Sequence, residues 1–253
     1  YIATPPDTHL HYTRMIAQAG KPIYVEKPMA NSYAQCLEMI DIAKTYQVPL
    51  FVAYYRRALP RFLKVKQIID SGQLGDLREV RINLLQQAKD TDKSGVPNWR
   101  VIPEVAGCGY FCDLASHIFD YLQYVLGDIQ SATGRSENRG GYYKAEDRVQ
   151  ADFEFNSGLK GVGLWDFNAT EDIDLTEIIG SKGKLAFTFF GEAYVTVSTD
   201  HGNTQHDIAN PLHIQQPLIQ LIVNELRGVG SCPSKSISAA KTNRVLDQIL
   251  GRI

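Results

Sequence analysis

The sequence predicts an α/β fold in which a parallel sheet covered by helices is followed by a region with a mainly antiparallel sheet. Over residues 1–57, strand-like and helix-like segments alternate with short connections, which is typical of parallel strands. Beyond residue 57, short apolar runs follow one another with turn signals between them, which is typical of antiparallel strands. We therefore expect a first domain over residues 1–57 and a second over residues 58–253, with C-terminal helices that can pack back on the first.

The first domain is predicted from segments in the order strand, helix, strand, helix, strand. They cover residues 1–3, 8–19 and 23–25, a helix that opens after Ser32, and residues 48–53. Asp7 is the expected N-cap of the first helix, and Gly20 is its expected C-terminal stop. Ser32 and Gln35 have the spacing of a capping box, in which each side chain bonds the other residue's backbone N–H. This alternation places the three strands in one parallel sheet.

The second domain is predicted from helical and strand periodicities. Helical patterns cover residues 60–71, 110–126, 212–227 and 238–250, and strand-like runs cover 78–85, 148–155, 159–167, 173–179, 184–190 and 194–198. Residues 156–158 and 180–183 read as hairpin turns. Phe187, Phe189 and Phe190 indicate apolar side chains on both faces of the sheet, so one face is expected to need a partner.

Composition and charge exclude several classes of function. Basic and acidic residues number 26 and 28, so the chain lacks the charge excess that suits nucleic acid or an anionic membrane. No apolar stretch approaches the roughly 20 residues that span a bilayer. The cysteines at positions 36, 108, 112 and 232 have no metal-like spacing, and we expect reduced thiols in a cytoplasmic protein. The chain begins within a strand and without Met, so we expect a preceding piece, and an export signal is left open.

Three loops fall at the carboxyl edge of the predicted parallel sheet, where ligands bind in open α/β sheets. They are residues 4–6, 26–28 and 54–57. Taken alone, Glu26-Lys27-Pro28 is a surface ion pair followed by a proline. Taken alone, Trp99-Arg100 is interpreted as a core tryptophan followed by an arginine whose guanidinium is solvated. The position of residues 26–28 at the ligand edge keeps a functional interpretation open.

The helix predicted at 110–126 carries the most informative polar pattern. Asp113, His117 and Asp120 lie at i, i+4 and i+7 on one stripe, next to the apolar core stripe. A carboxylate beside an imidazole suits general acid–base catalysis, whereas a solvated helix face explains the same pair without chemistry. A metal site from the three side chains is geometrically possible, but it lacks the two-histidine spacing of common helix-borne zinc sites, and we expect no metal.

In order and spacing, several segments together resemble the glucose-fructose oxidoreductase, inositol dehydrogenase and rhizopine catabolism (Gfo/Idh/MocA) family. They are IATPPDTH at 2–9, EKP at 26–28, YRR at 55–57, LGDLREV at 74–80, WR at 99–100, GCGYFCDLASHIFD at 107–120 and PLHIQQPLIQLIVNELRG at 211–228. The resemblance covers nearly the whole chain. It departs from the family pattern at Cys108 and at Ala115, where glycine is usual.

The resemblance implies the C-terminal part of a Rossmann parallel sheet, followed by an α+β domain with a large, mainly antiparallel open sheet. It implies an NAD- or NADP-dependent oxidoreductase that transfers a hydride between nicotinamide and a hydroxyl-bearing carbon of a sugar or cyclitol. It also implies assembly through the open sheet face, so we expect a homodimer or homotetramer. The family's Gly-x-Gly-x-x-Gly unit is expected upstream of Tyr1.

The matching motifs also imply the site residues. Lys27 is expected to hydrogen-bond the reacting oxygen, His117 to be the general base, and Asp113 to orient the imidazole. The expected cofactor contacts are Lys27 together with Thr4, Pro5, His9, Glu26, Arg56, Trp99 and Arg100.

Two other functions are compatible with the same residues. Some proteins that resemble this family use bound NAD as a recycled redox relay in glycoside hydrolysis. The other alternative is a non-catalytic sugar-binding or oligomeric module, although the presence of Lys27, Asp113 and His117 together argues against it.

Overall fold

The computed structural model describes residues 1–96 and 98–253. Pro97, part of the loop expected between the strand at 78–85 and the helix at 110–126, lies outside the described residues. The helices are α1 (His9–Gln18), α2 (Tyr33–Thr45), α3 (Pro60–Asp70), α4 (Asp90–Lys93), α5 (Pro103–Ala106), α6 (Tyr110–Leu126), α7 (Gln216–Leu226) and α8 (Ser236–Ile249). The strands are β1 (Ile23–Val25), β2 (Leu50–Val52), β3 (Leu77–Leu85), β4 (Ile129–Glu137), β5 (Arg148–Phe155), β6 (Lys160–Asp166), β7 (Ile173–Gly180), β8 (Gly183–Phe187), β9 (Tyr194–Thr199) and β10 (Gly202–Asp207). Single 3₁₀ turns cover Pro6–Thr8, Tyr55–Ala58 and Trp99–Val101.

The N-terminal part is a small parallel sheet with helices packed on it, as its alternating pattern predicts. Strands β1 and β2 pair in parallel, and Ile2 forms a further parallel bridge with Val25. Ile23 and Val25 of β1 and all three residues of β2 are buried, because apolar side chains pack on both faces of the sheet. The carboxyl ends of these strands therefore lie at one edge.

The predicted helix ends of this region are partly correct. The backbone at Gly20 has a φ of 65°, as a glycine C-terminal stop requires. Ser32 Oγ accepts a hydrogen bond from Gln35 N, but Gln35 Oε1 accepts from Asn31 N, so only half of the capping box forms. The predicted Asp7 cap is wrong, because the chain enters α1 through a 3₁₀ turn and α1 has no side-chain cap.

The larger sheet has the strand order β10-β9-β8-β7-β3-β6-β5-β4. The β3–β6 pair is parallel and the other neighbouring pairs are antiparallel, which confirms the predicted fold class. Strands β4 and β10 were not predicted. Strand β10 reads GNTQHD, which has no apolar alternation, so its hydrogen bonds to β9 and not its side chains define it as a strand.

Helix α6 connects the large sheet to the small one. It has the predicted bounds, but it is buried nearly all round along its first three turns, because one side packs on the sheet and the other faces the first domain. Phe111 and Phe119 pack against Trp165 of β6, with ring centroids 5.1 and 5.4 Å apart. This packing holds the polar residues of α6 against the edge of the parallel sheet.

Helix α8 returns to the first domain. Asn243 Nδ2 donates to the Ala30 carbonyl at 2.7 Å, and the Asp247 carboxylate accepts from Tyr33 N at 2.7 Å. Its Ala239 and Ala240 are buried with the core of the parallel sheet.

The division of the chain into two domains between residues 57 and 58 stays a prediction. Within the described residues, no helix has both the length and the apolarity needed to cross a membrane.

Two expectations about particular side chains are wrong. Cys108 and Cys112 form a disulfide, because Cys108, two residues before α6, lies with its Cα atom 5.5 Å from that of Cys112 in the first turn of the helix, while Cys36 and Cys232 are free thiols. Phe187 and Phe189 were expected to indicate a second apolar sheet face, but both are buried within the chain.

The solvent-facing side of the large sheet, here called the open face, carries a mixed set of side chains. Arg81 of β3 lies between Val162 of β6 and Glu177 of β7. In the next row, Asn83 lies between Leu164 and Leu175.

Breaking the buried ion pair between Arg57 and Asp120 should destabilise the protein strongly. Arg57 Nε donates to Asp120 Oδ2 at 2.8 Å and Nη2 donates to Oδ1, and the two side chains are 3% and 1% exposed. We expect Arg57→Met to lower the free energy of unfolding by about 3–5 kcal/mol in urea titrations, because a buried carboxylate loses its partner. Asp120→Asn on that background should recover part of the loss.

The matched control is Arg135→Met, which breaks an exposed pair with Glu137. We expect its effect to stay below about 1 kcal/mol. Equal effects of the two arginine substitutions would contradict the assignment of Arg57 as a structural ion-pair residue.

Candidate active site

A cavity of about 590 Å³ lies at the carboxyl edge of the small parallel sheet, between its loops and helix α6. This volume is within the roughly 300–1,000 Å³ range of small-molecule sites. Its lining includes most of the residues that the sequence singles out, namely Thr4, Pro5, Glu26, Lys27, Arg56, Trp99, Arg100, Asp113 and His117. We call it the first cavity.

Lys27 reaches from the loop after β1 to the start of α6. Its Nζ donates to the Asp113 backbone carbonyl at 2.9 Å and forms an ion pair with the Asp113 carboxylate. The Lys27 side chain is 13% exposed. Burial lowers the pKa of Lys27, and the Asp113 carboxylate opposes this shift. A lysine in this position donates hydrogen bonds towards the first cavity and is already partly desolvated.

His117 is one turn further along α6 and is 3% exposed. Its Nδ1 is buried and has no hydrogen-bond partner within the described residues. Burial, together with the positive charges of Arg56 and Lys27, lowers the pKa of His117 well below 6.5. The imidazole is therefore neutral at physiological pH.

The expected contact between Asp113 and His117 does not form. The Asp113 carboxylate instead bonds Lys27, and its Oδ2 lies 3.4 Å from Arg100 Nε. A carboxylate gains more from two cations than from a neutral imidazole, so charge decides the direction of the side chain. Asp113 thus holds Lys27 in place and does not orient the imidazole.

Asp120, the third polar residue of the same helix stripe, points elsewhere. Both of its carboxylate oxygens accept hydrogen bonds from Arg57. These bonds occupy the carboxylate in the core, so the three side chains do not converge on one point.

Arg56 forms the floor of the first cavity beside His117. Its Nε and Nη2 donate to the Phe189 carbonyl at 3.3 and 3.1 Å, and its guanidinium lies 4.5 Å from the centroid of the Phe190 ring. Its buried Nη1 has no partner within the described residues. The Arg56 guanidinium is thus a fixed positive charge at the wall of the first cavity.

Glu26 does not pair with Lys27. Its carboxylate accepts hydrogen bonds from the Tyr1 hydroxyl and, at 2.8 Å, from Gln215 Nε2. On the opposite wall, the Arg100 guanidinium stacks on Trp99 at 4.4 Å from the ring. These contacts fix the two sides of the cavity mouth.

His9 is the one expected cofactor contact that lies outside the first cavity. It is fully buried in the first turn of α1, where Nδ1 lies 3.1 Å from the Met29 carbonyl and Nε2 lies 2.9 Å from the Thr4 carbonyl. The inward face of α1 and these two acceptors direct the ring away from the ligand edge. His9 therefore bonds two cavity loops on the side that faces away from the cavity. The sequence predicts a direct contact with the cofactor, but the structure does not place His9 where it could make one.

Phe190 and Gln215 are among the lining residues that the sequence did not single out as site residues. Phe190 follows β8, and its ring centroid lies 6.1 Å from that of His117. Gln215 precedes α7 and bonds Glu26. Phe190 had no local signal, because only the long-range contacts of its loop bring it to the site. Gln215 lies within the terminal segment that resembles the family, which was the available signal.

The residues present fit the nicotinamide end of a dinucleotide cofactor. Thr4, Pro5 and Glu26 follow parallel strands at the edge where such ligands bind. Residues Asp113, Leu114 and His117 of α6 line another part of the same cavity. A flat polar ring and a hydroxylated substrate can be held together between these walls.

The two buried histidines should make the protein less stable as the pH falls. Burial lowers the pKa of both His9 and His117 below 6.5, so below that pH the unfolded chain binds protons that the folded chain does not. The contribution of the neutral histidines to the free energy of unfolding is complete above pH 6.5. It is lost as the pH falls below that value, by up to about 1.4 kcal/mol per pH unit for each histidine.

Urea titrations at about pH 7.5 and about pH 5.5 measure this difference. His117→Gln should reduce the pH dependence, and His11→Gln on the exposed face of α1 should leave it unchanged. A pH dependence that His117→Gln does not alter would contradict the neutral state of the buried ring.

Sequence comparisons identify related proteins for both parts of the chain. Residues 1–54 match a family described as oxidoreductase family, NAD-binding Rossmann fold, and residues 62–186 match the GFO/IDH/MocA C-terminal domain. The chain is 34% identical to oxidoreductase P35 of Formosa agariphila, over 99% of this chain and 78% of that protein. It is 29% identical to inositol 2-dehydrogenase of Rhizobium meliloti, over 84% of this chain and 62% of that protein.

The fold is also similar to that of solved oxidoreductase structures. Levoglucosan dehydrogenase in complex with NADH and levoglucosan superposes with a TM-score of 0.85, at 22% identity, over 99% of this chain and 76% of that one. At this level of identity the likeness concerns the fold. It agrees with the mixed α/β architecture described above.

Proposed function

Because the chain belongs to the Gfo/Idh/MocA family of oxidoreductases, we propose that it transfers a hydride between a nicotinamide cofactor and a hydroxyl-bearing carbon of a sugar or cyclitol. This is the family that the sequence motifs predict, and its NAD-binding description confirms the predicted cofactor class. Relatives named inositol 2-dehydrogenase and levoglucosan dehydrogenase support the substrate class.

One observation carries the proposal. Lys27 and His117, a lysine and a neutral histidine, line the same cavity at the carboxyl edge of the parallel sheet. Oxidation of a hydroxyl needs a group that accepts its proton and a donor that stabilises negative charge on its oxygen. His117 and Lys27 supply these two functions from neighbouring positions, because the Lys27 ammonium is bonded to Asp113, one turn of α6 before His117.

The roles of the chain's own residues follow from their contacts. A bound nicotinamide supplies the hydride acceptor or donor. Lys27 donates a hydrogen bond to the reacting oxygen, while its ion pair with Asp113 holds the ammonium in place. His117 accepts the hydroxyl proton, because its ring is neutral and lines the cavity. Thr4, Pro5, Glu26, Arg56, Trp99 and Arg100 contact the cofactor or close its pocket.

The test uses the full-length gene product with NAD and NADP and a panel of sugars, sugar derivatives and cyclitols. We expect formation of reduced nicotinamide with at least one of them. Release of nitrophenol from p-nitrophenyl glycosides without net cofactor reduction would instead support the glycoside hydrolase alternative. Failure to bind either nucleotide in calorimetry would favour the non-catalytic module.

We further propose that the open face forms a homodimer or homotetramer. Val162 at the centre of this face is 42% exposed, and Leu164 and Leu175 flank the next row. A face of an antiparallel sheet that carries apolar side chains without a covering helix suits association with a second copy. Light scattering should give a mass of at least two chains.

Leu175→Lys should shift this mass towards one chain, because a charge then occupies the contact row. Val229→Lys, in the exposed loop after α7, is the matched control and should leave the mass unchanged. A monomeric wild-type protein would contradict the assembly.

A further inference from the structure

A second cavity of about 640 Å³ adjoins the first. The two share Asp113, Leu114 and Phe190. The second cavity extends from this shared wall towards the C-terminal end of β3 and the start of β7. Its further lining residues include Gln86, Gln87, Lys89, Tyr110, Asp172, Glu192 and Tyr194. It therefore lies on the side of the first cavity that faces away from the parallel sheet.

The shared wall at Phe190 is held firmly. The Asp174 carboxylate accepts hydrogen bonds from the backbone nitrogens of Phe189, Phe190 and Gly191 at 3.0, 2.5 and 2.7 Å. From the other side, Arg61 Nη1 donates to the Glu192 carbonyl at 2.7 Å, and Arg56 binds the Phe189 carbonyl. A loop fixed on both sides presents a preformed aromatic wall between the two cavities.

The chemistry of the second cavity suits a neutral hydroxylated ligand. Tyr194 and Phe190 offer aromatic faces for the apolar side of a ring, whereas the Tyr110 ring lies under the Lys89 ammonium, 4.0 Å from it. The side-chain amides of Gln86 and Gln87 form no hydrogen bonds within the described residues, so they are available to hydroxyl groups. Carboxylates of Asp172 and Glu192 outnumber the Lys89 ammonium, which disfavours an anionic ligand.

We propose that the second cavity binds a further sugar residue of the substrate, so the substrate is a neutral disaccharide or longer glycoside. The inference rests on the proposed function, because the first cavity is assigned to the nicotinamide and the ring that carries the reacting hydroxyl. A free monosaccharide leaves the second cavity without a ligand. Phe190 separates the two sugar rings and orients the bond between them.

The experiment compares monosaccharides with their neutral dimers and trimers, using the full-length protein with NAD and NADP. The probes are glucose with cellobiose and cellotriose, xylose with xylobiose, and mannose with mannobiose. Both kcat/KM and calorimetric affinity are measured. We expect at least one dimer to exceed its monosaccharide by about tenfold or more in both quantities, which is the effect of roughly one additional well-placed contact. A dimer whose distal sugar is a uronic acid binds more weakly than its neutral counterpart.

Variants of the second cavity test the location of the effect. Gln87→Ala and Tyr194→Ala should lower the ratio of dimer to monosaccharide kcat/KM towards one. Tyr142→Ala, an exposed tyrosine outside the lining of both cavities, is the control and should keep the ratio.

The possible outcomes separate the two proposals. Equal affinity for monomers and dimers, absence of dimer binding in calorimetry, or a preference that Gln87→Ala and Tyr194→Ala leave intact would overturn the second-cavity assignment. Preferential dimer binding that these variants remove, without reduction of either nucleotide, would support the subsite and overturn the proposed redox function. Tighter binding of the uronic acid dimer would overturn the neutral class.

Discussion

Replacing His117 by Asn should lower kcat by about 100- to 10,000-fold in the full-length protein, the usual contribution of a general acid–base residue. The imidazole is neutral and lines the first cavity, and no other imidazole lies in the described part of that lining. Cofactor affinity should change little, because the side chain is assigned to the reacting hydroxyl and not to the dinucleotide.

The pH profile distinguishes this role from a structural one. We expect the fall of kcat/KM towards low pH to be lost from the residual activity of His117→Asn, since the titrating base is absent. His11→Asn, on the exposed face of α1, is the matched control and should retain both kcat and the profile. A His117→Asn enzyme with unchanged kcat would remove His117 from the mechanism.

Replacing Lys27 by Met should lower kcat by about 100- to 1,000-fold, the range seen when one preorganised donor to a developing oxyanion is removed. The ammonium is partly desolvated and is held by the Asp113 side chain and carbonyl, so its position costs little reorganisation during the reaction. We expect Lys27→Arg to have as low a kcat as Lys27→Met, because the larger, planar guanidinium does not occupy the position of the compact ammonium beside Asp113. Lys21→Met, in the exposed segment before β1, is the control.

The ion pair makes a second measurement informative. If Asp113 acts through Lys27, the effects of Asp113→Asn and Lys27→Met on kcat should be far from additive, and the double variant should resemble Lys27→Met. Additive effects would mean that Asp113 contacts the substrate independently. Thermal unfolding of each variant separates loss of activity from loss of structure.

Local sequence patterns were sufficient for the elements that carry the site. The bounds of α6, the strand before Glu26-Lys27-Pro28 and the position of both at one sheet edge follow from periodicity and from the alternation of strands and helices. These features depend on contacts between residues close in the chain, so short stretches of sequence contain the information. The resemblance to the family then indicated which polar residues to consider as site residues.

Long-range contacts decided the partners of those residues. Asp113 and His117 are neighbours on α6, yet Asp113 turns to Lys27, 86 positions away in sequence, because a cation outcompetes a neutral ring. His9 points inward because the Thr4 and Met29 carbonyls meet it there. Strand β10 forms only because β9 pairs with it, and Phe190 reaches the site only because Asp174, Arg56 and Arg61 bind the backbone of its loop.

The amino-acid order alone was thus enough to predict the α/β class and the ligand edge and to single out Lys27 and His117 as candidate site residues, since periodicity and motif spacing are local properties. Only the folded chain could show which charges pair, that His9 lies behind the site, and that a second cavity shares Phe190 with the first. Charge pairing and cavity shape depend on distances between segments far apart in sequence, and packing of the core sets those distances.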